Sequence, residues 1–218
     1  MSEMWMPPNA LWQWQFADFV MVWGMWALMM AAMMLPSLIG MASAFTKCSE
    51  RIYGTSFPYV YLFCLGYFLI WLLFSVLLTV LQWLCHGLGW LSMMMDNTQP
   101  WMAAGVLILA GVYQWSSLKD ACLSHCRSPL GFLMNCWQAG RQGAWKLGLI
   151  HGSHCLGCCW AQMALMFAVG VMNIWAMALI TLAILLEKNL SDRSLWMSRA
   201  SGFLLIGWGM GLILKSSL

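Results

Sequence analysis

From Tyr59 to Leu84 the chain runs for twenty-six residues without one Asp, Glu, Lys or Arg. About 20 apolar residues are enough for a helix to cross the hydrocarbon core of a bilayer. No water reaches that core, so such a segment must satisfy its backbone internally, which a helix does. Five more stretches have similar character, at residues 14–36, 101–118, 145–169, 173–186 and 199–214. Across all 218 residues, 62% are hydrophobic and only 8% are charged, against about 25% charged in a soluble domain. The expectation is an all-α fold, a polytopic transmembrane bundle of about six helices, forming one membrane domain over residues 1–218.

The basic residues orient such a bundle. Lys47 and Arg51 follow the first span, and Lys119, Arg127, Arg141 and Lys146 follow the third. Lys188, Arg193 and Arg199 follow the fifth, and Lys215 alone falls on the other side. Nine against one is a positive-inside asymmetry, which predicts both termini outside and three basic loops in the cytoplasm. The fourth and fifth spans are separated only by the turn signal Gly170-Val-Met-Asn173, and a re-entrant pair is the competing reading there. Residues 1–8 carry no basic region and no small-residue cleavage site, so the first span is expected to be an uncleaved anchor. Trp12, Trp14, Trp101, Trp145 and Trp196 lie near span ends, as an aromatic belt does.

Chemistry concentrates in the fourth span. His151-Gly-Ser-His-Cys-Leu-Gly-Cys-Cys-Trp160 packs two histidines and three cysteines into nine residues. Ionisable groups inside a membrane mark function by default, and thiols and imidazoles bind soft and borderline metals. At about 100° per residue, His151, Cys155, Cys158, Gln162, Met166 and Asn173 fall within roughly 60° of one another. Nine cysteines is an odd count, which fits free thiols and metal ligands better than a disulfide framework.

Helix 1 adds Met25, Met29, Met30, Met33 and Met34, whose thioethers suit monovalent copper or silver. The competing reading is that methionine simply fills gaps in an apolar core. Met29 to Met34 lie in the cytoplasmic half of the first span and His151 to Cys159 span the cytoplasmic half and middle of the fourth, so the two sets can meet at one depth. Cys122 and Cys126 are one helical turn apart and suit one ion, with His125 one residue off. Against that stands an interfacial helix end, where Lys119 and Arg127 snorkel.

Four charged or polar residues have blander readings beside functional ones. Glu187 ends near the depth of His151 and could orient its ring; a solvated Glu187–Lys188 pair is the alternative. Asp18 reads as an interfacial charge, with an outer gate as the alternative, and His86 reads as a solvated loop residue. Gly148, Gly152 and Gly157 read as points of close helix approach. No phosphate-binding loop, Ser-His-Asp arrangement or nucleic-acid motif is present in the sequence.

Three segments carry a family resemblance: Met29-Met-Ala-Ala-Met-Met-Leu-Pro-Ser37, residues 113–129 with Cys122 and Cys126, and Gly148-Leu-Ile-His-Gly-Ser-His-Cys-Leu-Gly-Cys-Cys-Trp160. Residues 166–173 and Leu186-Glu-Lys188 extend it. The chain resembles bacterial multi-pass proteins known only as predicted metal-binding integral membrane proteins with a domain of unknown function. The resemblance implies an inner-membrane location and a metal site at Met29, Met33, Cys122, Cys126, His151, Cys155, Cys158 and Cys159. His125 and His154 depart from the family pattern.

The resulting expectation is a membrane metal-handling protein that binds or delivers a soft ion, copper first, with zinc and iron open. Met34, His154, Met166 and Glu187 are weaker ligands or supports. The alternatives are a membrane oxidoreductase using the cluster as a redox centre, and a structural partner subunit. Expected partners are the lipid bilayer and a partner subunit or soluble metal donor or acceptor, with no nucleic acid.

Overall fold

The structure, a computed structural model, describes residues 14–90, 99–189 and 194–217. Trp12, Arg193 and the N-terminal segment read above lie outside them. All regular structure among the described residues is helical: α1 (Phe16–Tyr53), α2 (Phe57–Gly87), α3 (Pro100–Tyr113), α4 (Ser117–Arg127), α5 (Pro129–Cys136), α6 (Gly140–Ala164), α7 (Met166–Val169), α8 (Ile174–Asn189) and α9 (Ser194–Ser217).

The expected all-α bundle is present, but the count of six spans needs correction. Four helices are long and apolar enough to cross a membrane, or five if the bent pair α3 and α4 counts as one. α3 stops at Tyr113 and α4 departs at 66°, because the Ser116 hydroxyl accepts from Leu118 N at 3.2 Å and starts a new helix. The expected third span, 101–118, therefore ends early. α8 has 16 residues, about 24 Å of helix against a core of about 30 Å.

The first span is longer than expected. α1 runs through Pro36 to Tyr53, so Lys47 and Arg51 ride on its last turns and not in a loop. One proline removes one hydrogen bond, and neighbouring helices make that tolerable in apolar segments. Gly54, at φ 69°, ends the helix in a left-handed turn. Asp18 accepts from Gln15 N at 2.8 Å and caps the start of α1, which accounts for its charge. Gly170, at φ 103°, makes the turn expected between α7 and α8.

α6 is the central element, packed on α2 and α4, while α1 packs on α2, and α3 pairs with α9. The α3–α9 seam depends on small residues: a Cβ at Gly111 would come within 2.9 Å of the Gly202 carbonyl. Large apolar side chains cover the outside, with Trp175 81% and Leu204 74% exposed. Such an exterior suits lipid and would be unusual in water.

Candidate metal centre

Glycines bring α2 and α6 together. A Cβ at Gly66 would stand 2.6 Å from the Trp145 carbonyl oxygen, and one at Gly148 would collide with the Phe63 carbonyl. At Gly152 it would come to 3.2 Å from the Tyr67 carbonyl. On the other side of α6, a Cβ at Gly157 would sit 2.6 Å from Cys122 Sγ. These contacts set the register in which α2 and α4 present side chains to the cysteines.

The cysteines gather around Cys155, which is fully buried. Met34 of α1 places Sδ 4.0 Å from Cys155 Sγ and 3.9 Å from Cys159 Sγ. Cys126 of α4 lies within hydrogen-bond reach of both Cys155 and Cys158. Cys158 and Cys159 donate back to the Cys155 carbonyl at 3.1 and 2.9 Å. All nine cysteines are free. Sulfurs from α1, α4 and α6 thus pack together in a buried core. Among the described residues, no three His, Cys, Asp or Glu donors are already set as a formed metal site.

Two polar groups from other elements touch this cluster, and a third, on α6 itself, stands beside it. Tyr67 Oη of α2 is 3.1 Å from Cys155 Sγ. Lys188 Nζ of α8 donates to Cys155 Sγ at 3.1 Å and to Ser37 Oγ at 2.7 Å. A buried ammonium is costly unless partnered, so a monovalent cation already stands against the sulfur. His151 lies one turn before Cys155, 2% exposed, with neither ring nitrogen hydrogen-bonded. Phe63, Tyr67 and Phe132 surround its ring at centroid distances of 5.9, 5.5 and 5.5 Å.

A second buried polar group braces the cluster from the side. Lys119 of α4 pairs with Glu187 of α8 at 2.7 Å and also donates to Gln114. Ser198 Oγ reaches the Gln114 side chain at 3.2 Å, and Ser201 Oγ reaches Glu187 at 3.4 Å. The network ties the α3–α4 bend to α8 and α9 and holds α4, with its Cys126, against α6. Glu187→Gln should leave the Lys119 charge uncompensated and lower stability by about 3–5 kcal/mol, read as a lower melting temperature in detergent. A melting temperature within 2 °C of the parent, about 1 kcal/mol at this size, would contradict it.

The structure distributes the expected site residues unevenly. Cys126, Cys155, Cys158 and Cys159 come together, with His151 one turn away. Cys122, one turn before Cys126 on α4, lies against Gly157 and near Cys158, at the edge of the cluster. Of the methionines, Met34 reaches the thiols. Met29 and Met33 instead line a cleft of about 890 Å³ between α1 and α8, together with Met25, Met172 and Met177. Met166 is fully buried at the start of α7, and His154 meets His125 of α4.

Three sequence readings need correction. Glu187 does not orient His151; it pairs with Lys119 because that cation is buried on the neighbouring helix. Glu187 and Lys188 are 3% and 9% exposed and not solvated. His86 is 3% exposed, in the last turn of α2, with Nδ1 3.0 Å from the Gln82 carbonyl.

Sequence reasoning passed over Tyr67, Ser37 and the role of Lys188. A lysine ending an apolar segment was a usable signal for the last; nothing in the sequence marked Tyr67 among its aromatic neighbours.

No curated protein and no solved structure matches this chain. The family model PpoB2, described as copper chaperone, matches residues 23–212, a region that contains every residue of the cluster. Over nearly all of its length, therefore, the chain belongs to the PpoB2 copper chaperone family.

Proposed function

We propose that the protein takes up Cu(I) as cargo at the sulfur cluster and delivers it to an acceptor, working from a bacterial inner membrane. The observation that carries this reading is the meeting of Met34, Cys126, Cys158 and Cys159 at Cys155, from three helices. Thioether and thiolate sulfur select soft ions, Cu(I) among them. His151 fits the same ion: a buried imidazole with two unsatisfied nitrogens is expensive to keep unless it acquires a partner. Rotation about χ1 of side chains already in contact would close them on an ion. Membership of a copper chaperone family supports a copper-handling role.

Delivery suits these residues better than pumping. Asp18 is engaged in capping α1, which takes its carboxylate out of any ligand path to the far side. Lys47 and Arg51 near the end of α1 and Arg141 and Lys146 near the start of α6 share one end of the bundle, where Gly140 N donates to Tyr53 Oη, and we place the delivery side there, in the cytoplasm.

Cu(I) titration against a competing chelator, with metal content by mass spectrometry, tests this reading. Detergent-purified protein should hold about one Cu(I) per chain, lost in the Cys155→Ser, Cys158→Ser, Cys159→Ser triple variant. A parent protein that holds no Cu(I), or a triple variant that keeps it, would overturn the proposal.

A further inference from the structure

His125 of α4 and His154 of α6 face each other at the edge of the α4–α6 seam. Their ring centroids are 4.4 Å apart and their planes 48° apart. Each ring is held the same way, His125 Nδ1 2.8 Å from the Ala121 carbonyl and His154 Nδ1 2.8 Å from the Ile150 carbonyl. A carbonyl oxygen only accepts, so each Nδ1 carries the proton and each Nε2 keeps its lone pair. A backbone carbonyl on the far nitrogen is the usual arrangement behind a metal-bound histidine, where it fixes tautomer and ring orientation. No hydrogen bond from the described residues reaches either Nε2.

The ring spacing suits one ion. With metal–nitrogen bonds of about 2.0–2.1 Å and the ring centre about 1.1 Å further on, two imidazoles at about 90° have centroids about 4.5 Å apart. A right-angled nitrogen pair is the geometry of tetragonal Cu(II) or Ni(II), and Cu(II) heads the divalent affinity order. His125 is exposed and His154 half-buried, so water can complete the coordination sphere. The same two helices carry Cys126 and Cys155 one residue further along, which sets a nitrogen pair outside and sulfur inside.

We infer that His125 and His154 form a second metal site, a bis-imidazole site for a borderline divalent ion, Cu(II) first. It is distinct from the sulfur cluster and needs none of that cluster's residues.

The test keeps the chain intact. Purified protein is first treated with Ag(I), which occupies thiols without changing redox state, and then titrated with Cu(II) under electron paramagnetic resonance. The expected result is a tetragonal Cu(II) signal with splitting from two nitrogens. His125→Ala and His154→Ala should each lose one nitrogen coupling and weaken Cu(II) binding at least about tenfold, as loss of one of two ligands requires. Both positions lie at the helix surface, and a matching elution volume and helical circular dichroism check that the variants fold. An identical Cu(II) signal and affinity in the double variant, or only free aqueous Cu(II) in the parent, would overturn the inference. Failure to take up Ag(I) would count against the sulfur site alone; the thiols are then alkylated with iodoacetamide, so that they cannot reduce Cu(II), and the imidazole signal is read as before.

Discussion

Cys155→Ser should weaken Cu(I) binding at least about a hundredfold, or about 2.7 kcal/mol, and more than any other single substitution in the cluster. Cys155 Sγ is the atom that Met34, Cys126, Tyr67 and Lys188 all approach. Serine keeps the volume and a hydrogen-bonding atom but replaces a soft donor with a hard one. Met34→Leu removes one neutral thioether and should cost about tenfold, since an outlying support is typically worth 10–100-fold. Cys64→Ser changes a half-buried thiol of α2 outside the cluster and should leave affinity unchanged. Chelator competition gives all three numbers in one series. Affinity within twofold of the parent for Cys155→Ser would remove Cys155 from the site.

Gly148→Val should destabilise the protein by more than about 3 kcal/mol, the upper end of overpacking, and lower the melting temperature by about 10 °C. The atom in the way is the Phe63 carbonyl, part of the backbone of α2, so no side-chain rotation relieves the clash. Helices in lipid associate largely through close van der Waals contact, which small residues permit. Pushing α2 from α6 would also carry Tyr67 away from Cys155, so any folded fraction should bind Cu(I) more weakly. Gly24→Ala and Gly40→Ala are the controls, since a Cβ at either meets nothing within 4 Å. Equal melting temperatures for Gly148→Val and these controls would show that the seam is not close-packed.

Long apolar runs made the helical class legible, and the basic residues suggested an orientation. Where helices end was harder to read, because ends depend on single residues with opposing tendencies. Pro36, where the apolar run 14–36 closes, is passed through by α1, and Ser116, inside the run 101–118, starts α4. The short α8 was counted as a span because hydropathy measures polarity and not reach.

On its own, the sequence determined a chain of apolar helices with soft donors concentrated on one of them, because hydrophobicity and ligand type belong to individual residues. Only the tertiary structure decided which donors meet. Met34 and not Met29 or Met33 faces the thiols, Cys126 joins Cys155, and Glu187 neutralises Lys119 while Lys188 reaches sulfur. A helix shows every face of itself to a sequence reader at once. The glycine contacts and the bend between α3 and α4 select the face and depth each neighbour meets, and they act between residues tens of positions apart.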